Sequence, residues 1–106
     1  MPKCSIEILA PAWKELLEIA DYHLIKVGKN SAKKITDKIL NALEKLEEFP
    51  LSYPYVSDPE LKSQGYRMLG IDKYLCIYRL IGDKVYVYHI AHGAIEYNKL
   101  FTSKLS

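Results

Sequence analysis

No stretch of this sequence approaches the ~20 consecutive apolar residues of a membrane span. The opening MPKCSIEILAPAWKE also lacks the apolar core of an export signal. A chain that works in the cytoplasm, with no membrane partner, is the expectation. Cysteine is scarce: Cys4 and Cys76 lie in apolar, strand-like runs with no metal-ligand spacing around them. Buried, reduced thiols follow from that placement. There is no metal quartet, no phosphate-binding glycine loop and no Ser/His/Asp set, so no cofactor or metal is expected. Phenylalanine is nearly missing, with 2 residues against 9 tyrosines. A tyrosine ring with its hydroxyl handle suits half-exposed sheet faces and interfaces better than a dry core. Neither sign of charge dominates, the net being +2. Dedicated duplex-DNA binders carry a denser basic stripe; an RNA, ribosomal or acidic protein partner is compatible with this balance.

What is present is ordinary globular material, 49% apolar and 26% charged, in 106 residues. That length implies one domain over 1–106, large enough to bury a core without metal or disulfide staples. Cys4 to Leu9 alternates loosely and reads as a first strand. Pro11 suits the opening turn of a helix, where its missing N–H is no loss. Trp13, Leu16, Leu17, Ala20, Leu24 and Val27 then recur at helical spacing and are expected to form the inward stripe, with Gly28 as the stop. Asn30 or Ser31 is the expected cap of a second helix, with an apolar stripe of Ala32, Ile35, Ile39, Ala42, Leu43 and Leu46. Phe49-Pro50 ends it. The short connection predicts an antiparallel helical hairpin.

PLSYPYVSDPELKSQG, residues 50–65, is too rich in proline for a central strand or long helix, and predicts an ordered loop with one turn around Asp58 to Leu61. Three strands follow, about Tyr66–Gly70, Lys73–Leu80 and Lys84–His92, the last two joined by the tight-turn pair Gly82-Asp83. Strict alternation would put Tyr74, Cys76, Tyr78 and Leu80 on one face of the third strand, opposite Leu75, Ile77 and Arg79. The fourth strand would set Val85, Val87, His89 and Ala91 against Tyr86, Tyr88, Ile90 and His92. Neither strand has a polar face, so the sheet must be covered on both sides, by the helix pair and by a partner. A short helix or tail would end the chain.

This β-α-α-β-β-β order, an α+β fold with an antiparallel-rich twisted sheet on a two-helix hairpin, resembles the RelE/ParE superfamily, the toxin halves of bacterial type II toxin–antitoxin pairs. The resemblance is carried by PAWKELLEIADYHL, by ALEKLEEFP with its Pro-rich loop, and by GYRMLGIDKYLCIYRLIGDKVYVYHIAHGAIEY. It implies a growth-arresting protein bound by a cognate antitoxin in a hetero-oligomer. Its target would be DNA gyrase, as for ParE-like members, or the ribosome with its messenger RNA, as for RelE-like nucleases; an inactive, antitoxin-binding relative is the third expectation.

Cleaving RNA through its own 2′-hydroxyl needs a base, an acid and positive charge on the developing phosphorane. By resemblance, Arg67 and Tyr97 occupy nuclease positions, and His92 is the best acid–base candidate because its ordinary pKa is near neutrality. Two positions that are basic in the nucleases are apolar here, at Leu75 and within Ala94-Ile95. That departure favours a ParE-like, non-nucleolytic route. Lys73, Arg79, His89 and Glu96 are the candidate contacts to a partner or RNA. Most of the candidates also have a structural reading. Arg67 would pair with Glu60 or Asp72, Arg79 would decorate the hairpin edge, and His89 would be a hydrogen-bonded interior histidine. Glu96 and Tyr97 would cap the sheet, and the lysines of the second helix would form a solvated face or steer an acidic antitoxin.

Overall fold

The computed structural model describes residues 4–93 and Phe101. Along the chain run β1 (Ser5–Ile8), α1 (Ala10–Lys26), α2 (Lys29–Glu44), a single 3₁₀ turn (Lys45–Glu47), α3 (Pro59–Ser63), β2 (Arg67–Ile71), β3 (Tyr74–Ile81) and β4 (Lys84–His92). The strands form one mixed sheet in the order β1-β4-β3-β2, with β1 parallel to β4 and the other pairs antiparallel. The α+β arrangement is the one expected. The expected C-terminal helix or tail falls outside the described residues, apart from Phe101.

Local chemistry sets the element ends. Pro11 sits in the first turn of α1, where no intrahelical N–H is required. The cap of α2 is Gly28 rather than Asn30 or Ser31. Its φ of +146° lets the chain reverse between two helices that follow almost without a linker. The loop turn predicted near Asp58 is α3, capped where the Asp58 carboxylate accepts the Leu61 N–H at 3.0 Å. Two-residue turns join β2 to β3 and β3 to β4, since Ile71 pairs with Tyr74 and Ile81 with Lys84. Gly82 takes φ +63° in the second turn. In the first, Asp72 takes φ +53°, a conformation short polar side chains tolerate. Lys38 Nζ donates to the Asp72 carboxylate at 2.6 Å, tying that turn to α2.

The inward stripe of α1 differs from the expected one. Ala12, Leu16 and Ile19 are the buried residues, whereas Trp13, Leu17, Leu24 and Val27 are exposed, Val27 to 74%. Both sets fit a 3.6-residue period and lie roughly a quarter-turn apart on the helix. The sheet takes the set containing the small Ala12, which lets the helix axis approach closely. The stripe of α2 is as expected, with Ile35, Ile39 and Leu43 buried and Leu46 following in the 3₁₀ turn.

Alternation holds along β3 and fails along β4. A register shift at Ile77/Tyr78 sets Tyr78 against Val87 and Ile77 against His89, so Tyr88 is an extra residue on β4. Val85, Val87 and Ile90 therefore share the helix side, and the expected grouping of His89 and Ala91 with the valines does not occur. On the opposite side, Val56, Leu61 and Tyr66 pack on Ile77, with Met68, Leu75, Tyr88 and Phe101 around them. The second face, expected to await a partner, is covered by the chain's own Pro-rich loop, α3 and Phe101.

Two buried protic groups report on this packing. Tyr78 is fully buried and its hydroxyl donates to the Pro50 carbonyl at 2.8 Å, fastening the loop to the sheet. Burial pushes its phenol up to about 12, against the pull of nearby Arg67. Burial, aided by the Glu15 charge, also pushes the Cys76 thiol up to about 12. Both groups hold their protons longer folded than unfolded. The stability this contributes is complete below their ordinary values of 9.0 and 10.0 and is lost as pH rises toward about 12. Denaturant midpoints should therefore fall above pH 9, and Tyr78→Phe should flatten that descent while costing about 1 kcal/mol at neutral pH. In the native protein a thiol reagent should modify half-buried Cys4 and spare Cys76 until the chain unfolds.

Candidate functional site

Arg67 opens β2 opposite Tyr78, and cross-strand partners share a face, so it lies on the helix side of the sheet. Its Nη1 donates to the Tyr53 carbonyl at 2.7 Å, and its guanidinium lies 4.0 Å from the centre of the Tyr55 ring. The pairing read for it with Glu60 or Asp72 does not form, since Asp72 is taken by Lys38 and the loop folds across β2 at Tyr55. Arg79 occupies the other face. Its guanidinium sits 4.6 Å from the Tyr66 ring centre and 5.2 Å from that of Tyr88. One Nη donates to the Tyr88 hydroxyl at 2.8 Å and the other to the Gln64 carbonyl at 3.3 Å. Rather than decorating the hairpin edge, Arg79 roofs the second layer. Burial raises the Tyr66 phenol above its ordinary value, with the Arg79 charge pulling it down.

His92, at the exposed end of β4, stands opposite Tyr74. Tyr74 and Tyr78 are four residues apart on β3, so Arg67 and His92 are separated by roughly 13 Å along the strands and two strand spacings across them. Leu75, half-buried, lies on the face of Arg79. Lys73 is exposed in the β2–β3 turn. Glu96 and Tyr97 lie outside the described residues.

His89 is buried, 5% exposed. Its Nδ1 lies 3.2 Å from both oxygens of Glu15 on α1. Glu15 also accepts the Ile90 N–H at 2.9 Å. Beyond Ile8, β1 no longer accompanies β4, and the Glu15 carboxylate supplies the acceptor that a strand would have supplied. Sequence reasoning missed this residue, because it reads as one of several surface glutamates of α1.

The same helix supplies a second missed group. His23 Nε2 lies 2.9 Å from the Tyr74 hydroxyl and Nδ1 3.0 Å from Ser31 Oγ, joining α1, β3 and α2. Tyr22, His23, Tyr74 and His92 follow one another as rings with centroids 5.8, 6.1 and 5.8 Å apart. They line an open cavity of about 440 Å³ between α1 and the ends of β3 and β4. Ile19, Ile90 and Ala91 give it an apolar floor, and Glu15, Glu18 and Lys73 bring charge to it. Burial raises the Tyr74 phenol above its ordinary value, and Tyr22 and Asp72 add to that. Among the described residues no three His, Cys, Asp or Glu side chains are grouped to hold a metal ion. Among the described residues no helix is long and apolar enough to cross a membrane.

Comparisons with known proteins bear on this geometry. No curated protein matches the chain by sequence. Among solved structures it resembles the chromosomal ParDE toxin–antitoxin system of P. aeruginosa, at 18% identity and TM-score 0.72, over 85% of this chain and 96% of that one. It also resembles the RelBE2 toxin–antitoxin complex of Mycobacterium tuberculosis, at 14% identity and TM-score 0.63, over 87% and 99% respectively. At such identities these likenesses speak for the fold. The family model of the ParE toxin of type II toxin–antitoxin systems matches residues 6–97, nearly the whole chain. The chain belongs to that ParE toxin family.

Proposed function

We propose that this protein arrests growth by binding a large protein target, in the manner of gyrase-poisoning ParE-like toxins, and that a cognate antitoxin holds it inactive. The observation that carries this reading is the disposition of its cations. Arg67 and Arg79 lie on opposite faces of the sheet, each spent on a carbonyl and on tyrosine rings. An RNA-cleaving site needs several cations converging on one phosphate, each such donor being worth several kcal/mol in the transition state. Leu75 removes a further charge from the middle strand. His92 stands at the other end of the sheet from Arg67, too distant to share a phosphate with it.

What the surface offers instead is apolar and aromatic. Trp13, Leu17, Leu24 and Val27 are exposed along α1, and Phe49, Leu51 and Tyr55 along the Pro-rich loop. Exposed apolar patches of this kind fit protein–protein contacts. They leave two surfaces for two macromolecular partners, the antitoxin and the target. The structural neighbours, both toxin–antitoxin systems, support the antitoxin as one of them.

Purified protein should inhibit supercoiling by DNA gyrase, and cells expressing it without antitoxin should accumulate DNA breaks. Normal supercoiling with excess protein, together with codon-phased messenger cleavage lost in Arg67→Ala, would replace this reading with a ribosome-dependent nuclease. Growth that continues unimpeded on induction would leave only an antitoxin-binding relative. Because Arg67 pins the loop, Arg67→Ala should in either case cost about 1–2 kcal/mol of stability, measured by denaturant unfolding.

A further inference from the structure

We infer that the cavity between α1 and the ends of β3 and β4 receives an arginine side chain of the cognate antitoxin. The inference rests on the toxin–antitoxin reading for the partner, and on the cavity itself for the chemistry. Its wall is a run of four rings, Tyr22, His23, Tyr74 and His92. A planar guanidinium stacks on such rings and sheds water more readily than an ammonium, so the wall selects arginine over lysine.

Charge points the same way. Glu18 faces the cavity from an exposed turn of α1 and makes no ion pair among the described residues. Glu15 adds a second carboxylate, although its oxygens are turned to His89 and the Ile90 N–H. Lys73 is the single lysine or arginine among the described lining residues, so the two carboxylates outnumber it. This field repels phosphate, which argues against a nucleotide stacked on the same rings. A carboxylate such as Glu18 matches the paired N–H donors of a guanidinium. Below the rings, the floor of Ile19, Ile90 and Ala91 suits the three-methylene stem of arginine. Tyr22 is 58% exposed and Glu18 is also exposed, so both can be altered without opening the core.

The probe is N-acetyl-arginine amide, titrated into the purified full chain and followed by backbone amide shifts. Saturable shifts at Ile19, Tyr22 and Ala91 are expected. N-acetyl-citrulline amide, nearly the same shape without the charge, should need at least about tenfold more ligand, and Glu18→Gln should erase that difference. Equal binding of the two probes, or no saturable shift, overturns the inference. Affinity for the cognate antitoxin should fall about tenfold in Glu18→Gln. Tight antitoxin binding that Glu18→Gln leaves unchanged overturns the antitoxin as occupant. An unaltered protein that binds no antitoxin overturns the toxin–antitoxin reading, and this inference with it.

Discussion

The third strand has no wet side. Tyr74, Cys76 and Tyr78 face the helices, and Ile77, fully buried, faces the other way with Leu75 beside it. A sheet with such a centre must be dry on both faces. In a chain of 106 residues two helices can cover only one of them. The remaining cover is improvised from the Pro-rich loop, the single turn of α3 and Phe101. Each of these needs a fastening, and tyrosines and arginines supply them. Tyr78 donates to the Pro50 carbonyl, Arg67 holds Tyr53 and Tyr55, and Arg79 bridges Tyr66, Tyr88 and Gln64. The surplus of tyrosine over phenylalanine thus has a structural reason, for a hydroxyl or a ring face is what a thin layer uses to grip the sheet beneath it.

That demand bears directly on function. A cation stacked on tyrosine rings and hydrogen-bonded to a carbonyl, as Arg67 and Arg79 are, is held in one position. Arg79 fastens the second layer to the sheet, while Arg67 holds the loop at Tyr53 and Tyr55. Leu75 belongs to the same layer, where a lysine would enter the apolar cluster around Ile77. The second layer and a cation-rich cleft are alternatives at this position.

Much of the architecture was legible in the residues because it rests on short-range rules. The turn around Asp58 to Leu61, the Gly82-Asp83 turn, the stripe of α2 and the limits of β4 all follow from spacing and turn chemistry. What was not legible depends on partners distant in sequence. Helix α1 is apolar over so much of its circumference that periodicity offers two stripes, and only the sheet's demand for the close approach allowed by Ala12 decides between them. The bulge at Tyr88 carries no glycine or proline signal, so alternation runs past it unchecked. Glu15 and His23 read as ordinary helix-surface residues. Their partners, His89 and Tyr74, lie 74 and 51 residues away. Of the candidate site residues, the sequence does not reveal how Arg67, Arg79 and His89 are engaged.

The unchosen stripe of α1 has a physical consequence. Trp13, Leu17, Leu24 and Val27 remain in water although the helix has already satisfied the core. Each such side chain forgoes a part of the roughly 1.5–3 kcal/mol that full burial would give, the larger part for Leu17 and Val27. A monomer has no use for that exposure, because polar residues at those positions would leave the inward face of α1 untouched. Their retention makes sense if the helix serves two cores, the one inside this chain and one completed by another protein. The cavity with its ring wall opens on a different flank of the same helix, where Glu15, Glu18 and Tyr22 stand. A partner that lays an apolar segment on the stripe and reaches round the helix with a cation would engage both surfaces at once, with α1 between them as the shared element.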